Sequence, residues 1–288
     1  FVADARLDTA LHHAARGGHV RVCRALVARG AHSLVTNARG QNAQTVAAAH
    51  RQMGVQRLFR PARSDVEFTE AKIAAVPRLR AAAAGNVAAL GEAAAEEGPI
   101  TALMVASRAG RPEAVEALLR SGARVAARSA RGCTALSLAA AEGEGASVRR
   151  LVARGASVDL ADASGATPLF MASHSGRTAC VRALAAAEAK LDAAASDGGT
   201  ALGIACQGGH APAVRVLLEA KADVDAALND GRTALYLACD AGHAPIVEAL
   251  LAAKANVEAA SNSGRTPLMS ACIAGSESIV RTLLAAGA

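Results

Sequence analysis

Along the chain, short stretches with apolar residues every three or four positions alternate with polar loops rich in Asn, Asp, Ser and Gly. A spacing of three or four places apolar side chains on one face of a helix. Threonine or proline precedes many of these stretches and glycine follows them, as expected at helix starts and stops. Loops such as "LNDGR" and "SNSGR" carry turn signals. The pattern therefore predicts pairs of short amphipathic helices joined by turns.

This helix pattern repeats every 33 residues. A threonine, then Ala or Pro, then Leu, marks each unit at Thr101, Thr134, Thr167, Thr200, Thr233 and Thr266, and the N-terminal "TALHHAARGGHV" adds Thr9. One unit has a single apolar stripe that it cannot enclose, so units of this length must stack on neighbours. Burial of each leucine, worth roughly 1.5 to 3 kcal/mol, depends on that stacking. The sequence predicts an all-α fold, an α-solenoid of about nine repeats.

The pattern weakens near the N-terminus. Residues 1–59 contain the first repeats, the second of them degenerate, with Asn42 in place of threonine and Arg51 in place of glycine. Residues 60–78 lack the motif, and we expect an insertion or hinge that bends the stack or only bulges from it. Residues 79–288 form the main array. The chain begins with Phe1 and ends at "LLAAGA". In the other units a similar sequence is followed by a further loop, so we expect a segment of a longer polypeptide.

The units resemble ankyrin repeats. The resemblance rests on the threonine, Pro or Ala, Leu motif, on "GH", on the aliphatic pair with leucines, and on close matches at "TPLFMASHSGR", "ACQGGHAPAVRVLLEAKADV" and "GRTALYLACDAGH". It implies L-shaped units with a short β-hairpin finger loop, stacked into a curved array with a concave binding surface. It also implies a protein-binding role.

Cysteine and histidine recur at fixed repeat positions. "TALYLACDAGH" places Cys239, Asp240 and His243 within five positions, which suggests a metal or nucleophile site. Cysteine, however, recurs six positions after the threonine, at Cys206, Cys239 and Cys272, where other units hold Ala15, Ala140 or Ser173. Such a cysteine behaves as a small core residue, and His210 and His243 fill the "GH" position. We therefore predict no catalytic residue, metal or cofactor.

Composition adds limits on location and partners. No apolar run approaches the eighteen or so residues of a membrane span, and reduced thiols suit an intracellular protein, cytoplasmic or nuclear. From Arg16 to Arg80 there are twelve Lys and Arg against three acids, a local charge of +9 within a total of +6. This basic N-terminal third suggests nucleic acid or anionic lipid as an alternative partner, although no aromatic residues interleave with the arginines.

Two further repeat positions carry charge. Arginine recurs fifteen positions after the threonine, on the predicted outward face of the second helix, at Arg24, Arg57, Arg149, Arg182, Arg215 and Arg281. The row is either an exposed position that tolerates any long charged side chain or a dedicated binding strip, and we favour the first interpretation. Glu188, Lys221 and Lys254 replace the glycine that ends the second helix in a left-handed conformation, at a cost of about 1 kcal/mol.

Finger loops and first helices are where a rigid repeat scaffold would contact a partner. The candidates there are Arg131, His174, Asn229, Asp230, Arg232, Tyr236, Asp240, Asn262, Ser263 and Arg265. The first hypothesis is a non-catalytic scaffold that binds a protein partner through these residues. The alternatives are the recognition arm of a larger enzyme or channel, and electrostatic binding of nucleic acid or lipid by the basic N-terminal third.

Overall fold

The computed structural model describes residues 10–16, 19, 22–23, 46, 76–90 and 101–288. It divides into two compact units, residues 1–66 and 67–288. In the first unit, helix α1 (Ala10–Arg16) buries Leu11 and Ala14. The predicted degenerate repeat, except Val46, and residues 60–75 of the predicted insertion lie outside the described residues.

The second unit begins, among described residues, with α2 (Pro77–Ala84) and a 3-10 helix (Val87–Ala89). Six helix pairs follow: α3 (Ala102–Arg108) and α4 (Pro112–Arg120), α5 (Ala135–Glu142) and α6 (Gly145–Ala153), α7 (Pro168–His174) and α8 (Thr178–Ala186), α9 (Ala201–Gly208) and α10 (Ala211–Glu219), α11 (Ala234–Asp240) and α12 (Ala244–Ala252), α13 (Pro267–Ile273) and α14 (Glu277–Ala285). The described residues form no strand, and an isolated antiparallel bridge joins Ala227 and Thr233. The predicted all-α architecture is confirmed.

Each first helix starts at the threonine that marks the repeat. The threonine Oγ1 accepts a hydrogen bond from the backbone N–H three residues later, at 3.1 to 3.4 Å in the six units. In α5 the arrangement is reciprocal, since the Thr134 N–H donates to Ser137 Oγ at 2.9 Å. These bonds satisfy donors that a helix start leaves unpaired.

The stacking runs in two layers. The first helix of each pair packs on the first helix of the next pair, in the order α3, α5, α7, α9, α11 and α13. The second helices pack in the same way, in the order α4, α6, α8, α10, α12 and α14. The core between them is filled by two leucine positions, Leu103, Leu136, Leu169, Leu202 and Leu235 on first helices, and Leu118, Leu151, Leu184, Leu217, Leu250 and Leu283 on second helices, all buried. The repeat leucines are therefore buried by neighbouring units, as the periodicity predicts.

The end of the stack at α13 and α14 is less covered. Met269 is 52% exposed, Ile273 67% and Leu284 55%. From the sequence we expect Ile279, Leu283 and Leu284 to be partly open at this end. Leu284 is exposed as expected, but Ile279 and Leu283 are buried, because α14 packs on α13 and α12. Cys272 is exposed although Cys206 and Cys239 at the same repeat position are buried, because α9 and α11 are each packed between two first helices.

Candidate interaction surface

Five finger loops connect the helix pairs, at residues 129–133, 162–166, 195–199, 228–232 and 261–265. In each, the N–H of the first residue donates to the carbonyl of the fifth, at 2.9 to 3.0 Å. The fourth residue is always glycine with a φ near +80°, as at Gly198 and Gly231. A Cβ on Gly198 would lie 2.6 Å from the backbone nitrogen of Asn229 in the next finger. Glycine is thus required both by the turn and by the close approach of neighbouring fingers.

Neighbouring fingers are joined by a row of backbone hydrogen bonds. The donor of each bond lies 33 residues after the previous donor: Ala163 N–H to Arg131 O at 2.9 Å, Ser196 to Ser164 at 2.9 Å, Asn229 to Asp197 at 3.0 Å and Asn262 to Asp230 at 2.8 Å. These finger-to-finger bonds fix the loops relative to one another. They also use backbone groups that a loop otherwise leaves to solvent.

Asn229 and Asn262 add side-chain bonds to the same row. Asn229 Nδ2 donates to Ser196 O, and Asn262 Nδ2 donates to Asn229 O, each at 3.0 Å. Both residues are exposed, yet their amide N–H groups hold adjacent fingers together. The structure thus gives these two predicted contact residues a framework role.

Other predicted contact residues lie at the loop tips. Asp230 pairs with Arg232, with 2.8 Å between Arg232 Nε and Asp230 Oδ2. Ser263 is exposed and its Oγ lies 3.0 Å from Ser261 Oγ. Arg265 is exposed, whereas Arg131 is half-buried. The fingers nearest the C-terminus therefore present a mixed polar surface, with Arg265 extending furthest into solvent among these arginines.

The three candidates on first helices have different environments. Tyr236 is only 6% exposed, because it lies within the first-helix layer, so its ring is largely unavailable to a partner. Asp240 is exposed and its Oδ1 accepts a hydrogen bond from Ser270 Oγ in the next unit at 3.1 Å. His174 is exposed at the end of α7. We call the fingers together with these exposed helix positions the finger face.

Sequence reasoning missed a second row of bonds between units. A carboxylate at one repeat position accepts a backbone N–H from the next unit at 2.8 Å: Asp159 from Lys190, Asp192 from Asp223, and Asp225 from Asn256. The signal was present in the 33-residue recurrence of these aspartates. Their role is to tie units together, since each satisfies a donor on its neighbour.

Histidine at the "GH" position joins consecutive units. His210 Nε2 lies 3.0 Å from His174 O at the end of the preceding first helix. A Cβ on Gly176 would lie 2.5 Å from the His210 ring, and one on Gly209 would lie 2.6 Å from the His243 ring. The interpretation of both histidines as architectural is consistent with these contacts.

The buried thiols are poor nucleophiles. Burial, with a smaller contribution from the Asp240 charge, raises the pKa of Cys239 to about 12. Burial and then the Glu144 charge raise the pKa of Cys180 to about 11, and burial alone raises the pKa of Cys206 strongly. These groups stay protonated near neutral pH, whereas reactive cysteines have a depressed pKa.

The described residues contain neither a cluster of metal ligands nor a helix suited to span a membrane. Among them, no three His, Cys, Asp or Glu side chains converge in a way that would hold a metal ion. In the same residues, none of the helices combines the length and the apolar character needed to cross a bilayer.

Comparison with known protein families agrees with the repeat geometry. A family model for ankyrin repeats, described as three copies, matches residues 79–162, 136–227 and 221–288, and a single ankyrin repeat model matches residues 6–39. No match was found among curated proteins. Ankyrin repeats generally mediate protein–protein interaction and are typically non-catalytic. The matched ranges cover well over half of the sequence, and this chain belongs to the ankyrin repeat family.

Proposed function

We propose that this chain is a non-catalytic scaffold that binds a protein partner through the finger face, and that residues 228–265 contribute most of the contact. The observation that carries the proposal is the row of finger-to-finger hydrogen bonds, whose donors recur every 33 residues. A surface fixed in this way meets a partner without the entropy cost of ordering loops on binding.

Side-chain availability supports the C-terminal fingers as the contact region. Arg265 and Ser263 are exposed at one finger, and the Asp230 carboxylate remains about half exposed beside Arg232. Asp240 adds a carboxylate from a first helix. Arginine on a rigid base is a frequent source of binding energy in protein interfaces. Tyr236 is a support for α11 in this proposal, since its ring is buried.

The test is a capture experiment with two matched variants of the whole chain. The first variant carries Arg232→Ala, Asp240→Ala and Arg265→Ala. The control carries Arg120→Ala, Glu277→Ala and Arg281→Ala, which removes the same number of positive and negative charges from second helices. Circular dichroism melting establishes that both variants fold as the unsubstituted chain does.

We expect partners from cell extract to bind the unsubstituted chain and the control but to be lost from the first variant. A purified partner identified in this way should then bind the first variant at least about tenfold more weakly. Equal loss from both variants, or no loss from either, would refute the placement of the site. Recovery of nucleic acid or lipid that moderate salt removes would instead favour the basic N-terminal third as the working surface.

A further inference from the structure

Three arginines lie at the same repeat position on consecutive second helices. Arg149 on α6, Arg182 on α8 and Arg215 on α10 are exposed. Within the described residues, none of the three forms an ion pair. We call them the outer arginine row. It lies on the second helices, away from the fingers.

Other arginines of the same unit behave differently. Arg108 Nε lies 3.1 Å from Glu142 Oε1, and Arg154 pairs with Glu116. Arg150, next to Arg149 in sequence, reaches Pro112 O at 2.7 Å. These three arginines thus have polar partners within the unit, whereas the residues of the outer arginine row are exposed and form no ion pair within the described residues.

The surroundings of the row make it a defined feature. Helices α6 and α8 contain no acidic residue, although Glu144 immediately precedes α6, and α10 contains Glu219, four residues after Arg215. The remaining residues of α8 are apolar apart from Thr178. Glutamate occupies the equivalent positions in the flanking units, Glu116 before the row and Glu248 after it. The row is thus a run of three arginines that ends at Glu116, which is paired with Arg154, and at Glu248.

The spacing of the row limits what fits it. Helices α6, α8 and α10 pack side by side, and packed helices lie about 8 to 10 Å apart. Seven residues of an α-helix rise about 10.5 Å and return to nearly the same face. A partner helix with an acidic residue at every seventh position would place one carboxylate at each arginine.

We propose that the outer arginine row binds an acidic helical segment of a protein partner, with three carboxylates about two helical turns apart. Charge complementarity and spacing favour this occupant. Glu248 disfavours a long uniform polyanion, because the charges of such a ligand would continue past the row onto this glutamate. This surface is separate from the finger face, and the proposal does not depend on a partner binding there.

The probe is a fluorescent helical peptide of about 18 residues with glutamate at every seventh position in an alanine and glutamine host. A second peptide has the same composition, with its three glutamates on different faces. Fluorescence anisotropy measures binding of each to the whole chain at low salt. The variant Arg149→Gln, Arg182→Gln, Arg215→Gln is compared with the control Arg120→Gln, Arg124→Gln, Arg281→Gln, which loses the same charge elsewhere.

The in-phase peptide should bind at least about fivefold more tightly than the scrambled one, and the row variant should weaken it about tenfold or more. The control should change affinity by less than about twofold, and added salt should weaken binding. Glu248→Arg lengthens the row, so a peptide with a fourth in-phase glutamate should gain about threefold.

Three results would overturn the proposal. The first is equal affinity for the two peptides, and the second is unchanged affinity in the row variant. The third is an oligonucleotide or an anionic vesicle that competes for the same three arginines at lower concentration than the peptide. Melting curves of the row variant and of Glu248→Arg establish that these surface changes leave the fold intact.

Discussion

The most direct test of the packing is the removal of a buried hydroxyl. Ser173 is fully buried in α7, and its Oγ has no hydrogen-bond partner. The equivalent residue in another unit, Ala140, is buried to the same extent, so the position accepts a methyl side chain. Ser173→Ala should therefore stabilise the protein.

The magnitude follows from three contributions. An unpaired buried hydroxyl costs about 1 to 3 kcal/mol, and alanine gains a few tenths more from its helix propensity. The small void left by the oxygen destabilises the folded state by about 0.5 to 1 kcal/mol. The expected gain is about 1 kcal/mol. Ser107, two units away with the same unpaired Oγ, should add a similar gain when also changed to alanine.

Ser137→Ala is the matched control, with the opposite sign expected. Ser137 is equally buried, but its Oγ accepts from the Thr134 N–H at 2.9 Å and lies 3.0 Å from Thr134 O. Ser137→Ala should therefore lower the free energy of unfolding by about 0.5 to 2 kcal/mol. The two substitutions are chemically identical, so the difference in sign isolates the hydrogen bonding.

Urea titration measures both effects. With an m-value near 2 to 3 kcal/mol/M, Ser173→Ala should raise the midpoint by about 0.3 to 0.5 M. Because repeat arrays do not always unfold in one step, hydrogen exchange of the α7 amides supplies the local free energy. A loss of stability in Ser173→Ala would refute the reasoning. It would mean that the hydroxyl is satisfied in solution, for example by rotating to the carbonyl one turn earlier.

Three further predictions concern single positions. Lys254 has a φ of +65° at a position where three other units have glycine, at Gly122, Gly155 and Gly287. Lys254→Gly should therefore raise stability by about 1 kcal/mol in thermal melts, and Gly155→Lys should lower it similarly. Burial raises the pKa of Cys239 in the folded state to about 12. The stability that the neutral buried thiol contributes is therefore fully present below the pKa of the unfolded state, and it is lost as pH rises from there towards the folded pKa. Urea titrations should show stability falling between pH 9 and 10, with Cys239→Ala flattening the slope by up to about 1.4 kcal/mol per pH unit. Gly209→Ala should lower the free energy of unfolding by about 1 to 3 kcal/mol, since φ is +76° and the new Cβ lies 2.6 Å from the His243 ring. In a double-mutant cycle, His243→Ala should remove the part of this loss that comes from the contact with the ring.

Much of the fold followed from the sequence because each unit repeats the same local chemistry. The threonine caps, the buried leucines and the left-handed Glu188, Lys221 and Lys254 all occur where the 33-residue period predicts them. These features depend mainly on residues a few positions apart, which one repeat already contains.

The candidate surface was harder to predict because it depends on the neighbouring unit. Asn229 lies in a turn sequence typical of exposed loops, but its side-chain Nδ2 donates a hydrogen bond to the carbonyl oxygen of Ser196, 33 residues earlier. Tyr236 and Asp240 lie on one short helix, yet the ring is buried and the carboxylate is exposed. Exposure of Cys272 and burial of Cys239 likewise depend on which helices pack beside them.

The finger-to-finger bonds have a consequence for how this chain can change in length. Asn229 N–H bonds to Asp197 O, and Asn262 N–H bonds to Asp230 O. Removing residues 198–230 would bring Asn262 to the position of Asn229, with Asp197 O again as its acceptor. A deletion of another length would shift the finger after the cut relative to the finger before it, and the hydrogen bond between those two fingers would be lost. Gene duplication or loss can therefore lengthen or shorten the array only in steps of 33 codons without breaking this row of bonds.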